Sequence, residues 1–288
     1  MTAEAAVAVD MPDAITVEGV AKSFGAVTAL IDISLRLGQG ECLGLIGDNG
    51  AGKSTLIKIL SGFHRPDRGR ILVYGEEASM RSVDDARSLG IDTVYQDLAL
   101  VPTLSVAHNM FLNREVTRGI GPFRWLDNRE MRRRARSYIE AIGIRTLRSV
   151  SSEVAMLSGG QRQAIAIARS VHTGAKILLL DEPLAAMGAM EGEMILDLIR
   201  DLKAEGHSMI VVAHNYVHVL EICDRVNLLQ HGRITLDRLS SETSAEELTE
   251  LVAREYRRLR DTTSSAGSVA GEENGPETPH AAAERPGL

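Results

Sequence analysis

The stretch "ECLGLIGDNGAGKST" constrains this chain more than any other. An apolar run of strand length ends at Ile46. Glycines follow at Gly47, Gly50 and Gly52, and Lys53, Ser54 and Thr55 open a helix expected over about Lys53 to Ser61. The spacing fits G-x-x-x-x-G-K-[ST] between strand and helix. Glycines let backbone N–H groups close around phosphate oxygens, and the helix start adds partial positive charge. Gly47, Asp48, Asn49, Gly50, Ala51, Gly52, Lys53, Ser54 and Thr55 are therefore the candidate phosphate cradle. Lys53 is expected to reach the β- and γ-phosphates and the Ser54 hydroxyl to hold Mg²⁺. A chain that begins its core this way is expected to be α/β.

Strand and helix signals alternate on both sides of a different segment. "ITVEGV" and "ALIDISLRL" read as strands, the second with Ile31, Ile33, Leu35 and Leu37 on one face. "GRILVYG" and "IDTVY" are further strands, and "SVDDARSLG" is a short helix closing on Gly90. From about residue 101 to 155 strand signals vanish. There "LDNREMRRRARSYIEAIGI" places Met131, Ala135, Tyr138 and Ile142 at helical spacing, with Asp127 and Glu130 as a capping pair. This reads as an inserted helical subdomain. Alternation resumes with "KILLLD", a helix near 189–204, "SMIVVAH", a helix near 216–223, and a hairpin turning at His231-Gly232. A helix near 244–259 closes the domain, expected to span 14–260. Residues 1–13 and the Gly, Ser, Pro and Glu-rich 261–288 are expected to be disordered.

Several function classes are excluded by composition. Net charge is −7, so the basic surplus of a nucleic-acid binder is missing. No apolar run reaches the length of a transmembrane helix, and the N-terminus lacks a signal peptide's pattern. Cys42 and Cys223 read as free thiols in a reducing compartment.

The second half of the site is "KILLLDEP". A strand ending in Asp181 and Glu182 offers one carboxylate to hold the metal and another to polarise the attacking water. Between the two halves stands "MLSGGQRQAIAIARS". Its "LSGGQ" resembles the signature motif of ATP-binding-cassette ATPases, and Ser158, Gly159, Gly160 and Gln161 open another anion-binding helix. The resemblance covers about residues 14–240. It implies a mixed core sheet with an antiparallel N-terminal β subdomain and an inserted helical subdomain. It also implies roles: Phe24 stacking on adenine, Gln96 touching Mg²⁺ and sensing a membrane partner, Asp181 holding the metal, Glu182 as base, and His214 contacting the γ-phosphate. ATP and Mg²⁺ follow, as does a second cassette, as a homodimer whose Ser158–Gly160 faces the phosphate of its mate.

Two departures stand out. Where most of the family has Asp after Glu182-Pro183, this chain has Gly188, and Leu184 stands where Thr or Ser is common. The "AAMG" stretch, with "GPFRWLDNREMRRRA" and "AHNYVHVLEICDRV", is similar to the ATP-binding subunits of pentose and hexose importers, closest to single-cassette fructose-type subunits. The expectation is therefore an ATPase at the cytoplasmic face of the membrane, driving a permease that is fed by an extracytoplasmic sugar-binding protein. Transport of another solute, export, and a non-transport ATPase of this family in DNA repair or translation are the alternatives. The arginines at 129, 132–134 and 136 read as a solvated face, with anionic lipid headgroups or a permease loop as the other readings.

Overall fold

The computed structural model describes residues 11–254 apart from 121, 122, 145 and 186. The expectations of disorder for 1–10 and 261–288, and of helix beyond 254, fall outside the described residues. The chain divides into two compact units, Met1–Ala245 and Glu246–Leu288. In the second, the helix that runs over 245–254 is described.

The first unit starts with an antiparallel sheet. Strand β1 (Ile15–Phe24) lies between β2 (Val27–Leu37) and β4 (Arg68–Val73), with the short β5 (Glu76–Glu77) at the edge. The burial of β2 corrects the simple alternation. Leu30, Ile33, Leu35 and Leu37 are buried, whereas Ile31 is half-buried. Asp32 adopts φ +54 there, and the pairing slips between Val20↔Ile33 and Lys22↔Leu30. A one-residue bulge moves every residue beyond it to the other face. The Ile31 N–H donates instead to the Gly232 carbonyl at 2.7 Å.

The second sheet is mixed, as the resemblance implies. Its order is β12 (Arg233–Leu239), β11 (Arg225–Gln230), β3 (Cys42–Ile46), β10 (Ser208–Val212), β9 (Ile177–Asp181) and β6 (Ile91–Val94). The last five run parallel, and β12 returns antiparallel to β11. The return is made at His231-Gly232, both left-handed (φ +47 and +74), the conformation a two-residue hairpin turn demands. Strands β3 and β10 are buried along their whole length. Such runs lack alternation because a parallel sheet is covered on both faces. Helices α1 (Lys53–Leu60), α2 (Val83–Ser88), α5 (Gly159–His172), α6 (Ala189–Ala204) and α7 (Tyr216–Ile222) connect the strands. The helices expected near 189–204 and 216–223 thus form where the sequence places them.

The segment 101–155 contains helices α3 (Val106–Met110) and α4 (Asn128–Ala141), but also a hairpin of β7 (Thr117–Ile120) and β8 (Phe123–Leu126). The expectation of an insert without strands is thereby corrected. Each strand has four residues and β8 is exposed throughout, so no buried face exists to leave a period-two signal. In α4 the buried side is Met131, Ala135, Ile139 and Ile142, while Tyr138 leans out with its ring 4.0 Å from that of His172. Asp127 caps the helix by accepting from the Glu130 N–H. The reciprocal half of the capping box is absent. The Glu130 carboxylate is taken by Arg133 and Arg134 at 2.6 and 2.7 Å, which hold it at about 2.

Candidate functional site

Four parallel strands end at one edge of the mixed sheet, adjacent in the order β3-β10-β9-β6. The glycine-rich turn follows β3, His214 follows β10, Asp181 and Glu182 close β9, and Gln96 follows β6. Residues more than a hundred apart in sequence therefore meet. Together they line a cavity of about 300 Å³ that includes Asp48, Asn49, Gly50, Gly52, Lys53, Ser54, Thr55, Gln96, Asp181, Glu182 and His214. The carboxyl ends of parallel strands are where such folds place ligands.

The turn is built by glycine conformation. Gly47 has φ +148, and a Cβ on it would lie 2.1 Å from the Leu229 carbonyl oxygen. Gly52 has φ +112, with the Ala29 oxygen and a Leu30 methyl each 2.7 Å from its would-be Cβ. Gly52 also caps α1 and supplies no side-chain acceptor, so the first N–H groups of that helix face the cavity uncapped. Ala51 is buried beneath, its carbonyl accepting from the Gly232 N–H at 3.0 Å.

Lys53 is almost fully buried and donates to the Gly47 and Asp48 carbonyls at 2.6 and 3.0 Å. Burial pushes its pKa down, while the charges of Glu182, Asp48 and Asp181 pull the other way. Burial likewise raises Asp181, against the attraction of Lys53. Glu182 sits at φ +53, a strained conformation for a side-chain-bearing residue. Its N–H is held by the Val212 carbonyl at 2.9 Å, which ties the end of β9 to β10. Burial raises the Glu182 carboxyl as well, with His214 and Lys53 opposing. His214 Nε2 approaches Glu182 Oε1 to 2.9 Å, yet without hydrogen-bond geometry, and that buried oxygen has no partner. The cavity is thus lined by the Glu182 carboxylate, an ammonium, a helix terminus and hard oxygen donors at Ser54, Gln96 and Asp181. Among the described residues no cluster of three His, Cys, Asp or Glu could cage a metal. The oxygens of Ser54, Gln96 and Asp181 are the kind that Mg²⁺ takes, one or two at a time, beside the phosphates it accompanies.

Besides Gly47 and Ala51, two groups of candidate residues lie outside the lining. Phe24 ends β1, is 44% exposed, and meets His64 edge-on at 5.2 Å with Lys22 above its ring at 5.5 Å. Ser158, Gly159, Gly160 and Gln161 start α5. There Ser158 Oγ accepts from the Gln161 N–H at 3.3 Å and Gln161 Oε1 accepts from the Ser158 N–H at 3.1 Å. Gln161 also donates to the Thr146 carbonyl, so its side chain shapes the signature turn.

Two supporting residues escaped the sequence reading. Arg169, in the last turn of α5, donates to the Leu98 and Ala99 carbonyls at 3.0 and 2.9 Å and so steadies the loop after Gln96. The side chain of the fully buried Asn109 accepts from the Val101 N–H and donates to the carbonyls of Val101, Leu104 and Ser105. Arg169 stands near the end of the "MLSGGQRQAIAIARS" stretch, whose signature residues lie at its other end. For Asn109 the signal in the sequence is one polar residue among Val106, Ala107 and Met110.

The family profile described as "ABC transporter" matches residues 30–185. The chain is 44% identical over 242 residues to the xylose/arabinose import ATP-binding protein XylG of Sulfolobus acidocaldarius, covering 84% of this chain and 94% of the relative. It is 44% identical over 222 residues to the fructose import ATP-binding protein FrcA of Rhizobium meliloti, covering 76% and 85%. Among solved structures, a nucleotide-free cassette from an ABC transporter aligns with a TM-score of 0.71 at 25% identity over 84% of this chain and 95% of that one. A dimeric post-hydrolysis cassette bound to ADP and Pi aligns at 0.65 and 25% identity, covering 78% of this chain and 98% of that one. With the phosphate turn, the carboxylate pair and the histidine gathered at one sheet edge, the chain belongs to the ATP-binding-cassette family and is an ATP-hydrolysing subunit of an ABC transporter.

Proposed function

We propose that this chain energises the import of a monosaccharide through a membrane permease that it docks on from the cytoplasmic side. What carries the reading is the cavity that joins Lys53, Ser54, Gln96, Asp181, Glu182 and His214, together with relatives that are sugar import ATP-binding proteins and align over three quarters or more of both chains.

In this reading Gly47–Thr55 cradles the triphosphate, and Lys53 exchanges its backbone acceptors for phosphate oxygens. Mg²⁺, held by Ser54, Gln96 and Asp181, neutralises phosphate charge when bound. Glu182 takes the proton of the attacking water. His214 stabilises charge on the γ-phosphate oxygens and keeps Glu182 oriented. Phe24 stacks on the adenine. Two chains face one another, each offering its Ser158–Gly160 turn to the phosphate in its mate, and close as ATP binds. The helical insert and the loop after Gln96 pass that closure to the permease. An extracytoplasmic binding protein delivers the sugar.

Phosphate release from the Glu182→Gln chain tests the catalytic part. Loss of a general base lowers turnover by about 10²–10⁴-fold, while ATP binding and an ATP-induced dimer persist. Turnover near the parent's would remove Glu182 from the role. Co-purification of the tagged chain from detergent-solubilised membranes tests the rest. A multi-span permease with a sugar-binding protein is the expected company. Recovery with ribosomes or DNA would overturn the transport reading.

A further inference from the structure

The β7–β8 hairpin plays no part in the nucleotide site, yet it exposes two large aromatic side chains. Phe123 and Trp125, the chain's only tryptophan, are 70% and 62% exposed. They are two apart on β8 and so point to the same side, and Arg118 lies directly opposite Trp125. Exposed aromatics of this size are ordinarily buried or placed at an interface.

The charge around them is lopsided. From Arg114 to Arg136 the sequence has eight arginines against three acidic residues, in a chain of net charge −7. The acidic side chains are already engaged. Asp127 caps α4, Glu115 accepts from the Asn113 N–H, and Glu130 holds Arg133 and Arg134. Among the described residues, none forms an ion pair with Arg118, Arg124, Arg129, Arg132 or Arg136. The last three are exposed at i, i+3 and i+7 along α4, one stripe that starts three residues after the hairpin ends. The Asp127 N–H donates to the Val116 carbonyl at 2.7 Å, tying the start of α4 to the base of the hairpin.

We infer that the β7–β8 hairpin and the Arg129–Arg132–Arg136 stripe of α4 form a surface that rests on the anionic headgroup layer of a lipid bilayer. Tryptophan and phenylalanine sit at headgroup level with an apolar body and a polar or quadrupolar edge, and unpaired arginines beside them seek lipid phosphate. The contact is peripheral. Among the described residues no helix is long and apolar enough to cross a membrane. Such a surface would hold the insert near the permease independently of nucleotide.

The full chain is mixed with permease-free vesicles of phosphatidylcholine alone or with phosphatidylglycerol added. Binding is read by co-sedimentation and by Trp125 emission. The anionic vesicles are expected to sediment the chain and shift its emission to shorter wavelength, with release as salt rises. The R129Q/R132Q/R136Q chain is expected to bind about 100-fold more weakly, about fivefold for each arginine, and F123S about tenfold more weakly. The soluble ATPase rate of both variants should equal the parent's, which reports an intact fold. No shift with anionic vesicles, equal binding to neutral ones, or undiminished binding by the triple variant would overturn the inference. It would leave the ATPase reading untouched and assign the hairpin to a protein contact instead.

Discussion

Replacing Gly47 by alanine perturbs the site at its tightest point, and the size of the effect follows from two separable terms. The first is backbone strain, since φ +148 lies where side-chain-bearing residues rarely go. That costs about 1–3 kcal/mol. The second is collision. The new Cβ would lie 2.1 Å from the Leu229 carbonyl oxygen and 3.1 Å from its carbon. Neither belongs to a side chain that could rotate away. Relief requires β3 and β11 to move apart beyond Ile46↔Leu228, which costs about 1–3 kcal/mol more by analogy with overpacking. The smaller entropy of the unfolded alanine chain returns up to about 1 kcal/mol. The net expectation is a loss of about 3 kcal/mol, or about 6–12 °C in Tm for a domain of this size. Gly50 supplies the control. It also has positive φ, +83, but nothing lies within 4 Å of its would-be Cβ. Gly50→Ala should therefore show strain alone, about 1 kcal/mol and about 2–4 °C. Thermal unfolding by circular dichroism on parent and both variants, without nucleotide, measures the difference. Fluorescent ATP-analogue binding should weaken more in Gly47→Ala, because the carbonyl that holds Lys53 at 2.6 Å moves with the strand. Equal melting temperatures for the two variants would refute the collision argument, whatever their common loss.

The pH profile of turnover is the next check. Burial raises the Glu182 carboxyl above its ordinary 4.5. A base works in its ionised form, so activity is lost as pH falls through that raised value, and the acid limb should lie on the neutral side of 4.5. A limb at or below 4.5 would contradict the burial argument. Asn109→Ala should leave the Val101 N–H without a partner beside a fully buried position, while the Val101, Leu104 and Ser105 carbonyls each keep a backbone donor. A loss of about 2 kcal/mol is expected in denaturant unfolding, and a change under about 0.5 kcal/mol would show that water replaces the amide. Cys42 and Cys223, both buried with sulfurs 3.5 Å apart, should resist iodoacetamide in the native chain. The neighbouring Cys42 thiol and burial push Cys223 well above the usual thiol range, so little thiolate exists to react. Mass spectrometry showing rapid native alkylation would contradict this.

The parts of the fold legible in the sequence are those with a local physical signature. Buried parallel strands betray themselves as unbroken apolar runs, "CLGLI", "ILLL" and "MIVV", and helix α4 by its period and its Asp127 cap. What stayed hidden depends on long-range arithmetic. The slip at Asp32 needs the partner strand to define it. The hairpin at Thr117–Leu126 buries no face of β8, so it has no period to read. Arg169 reaches carbonyls about seventy residues earlier in the chain, and its helical spacing says only that it lies on α5. The site divides the same way. The phosphate turn could be read from its own nine residues, but that Gln96, Glu182 and His214 join it is a property of strand order, which places their four strand ends side by side.

The two anion-binding helix starts differ in a way that bears on how such a chain waits for its ligand. Helix α1 begins after Gly52, which supplies no capping acceptor, and its lysine is turned back onto backbone carbonyls. Its free N–H groups are satisfied only by water or by phosphate, so binding energy is realised when a ligand arrives. Helix α5 begins with Ser158 and Gln161 capping each other, and Gln161 anchors to Thr146 besides. The cap fixes the shape of the turn and leaves the Gly159 and Gly160 N–H groups to an anion. Its close fit to α6 is set by Gly160, where a Cβ would come within 2.9 Å of the Glu191 Cβ. One start is thus uncapped and the other capped by its own side chains. In the proposed dimer the signature turn of the mate arrives already shaped. A rigid second half can discriminate a γ-phosphate by position, because it cannot adjust to that group's absence.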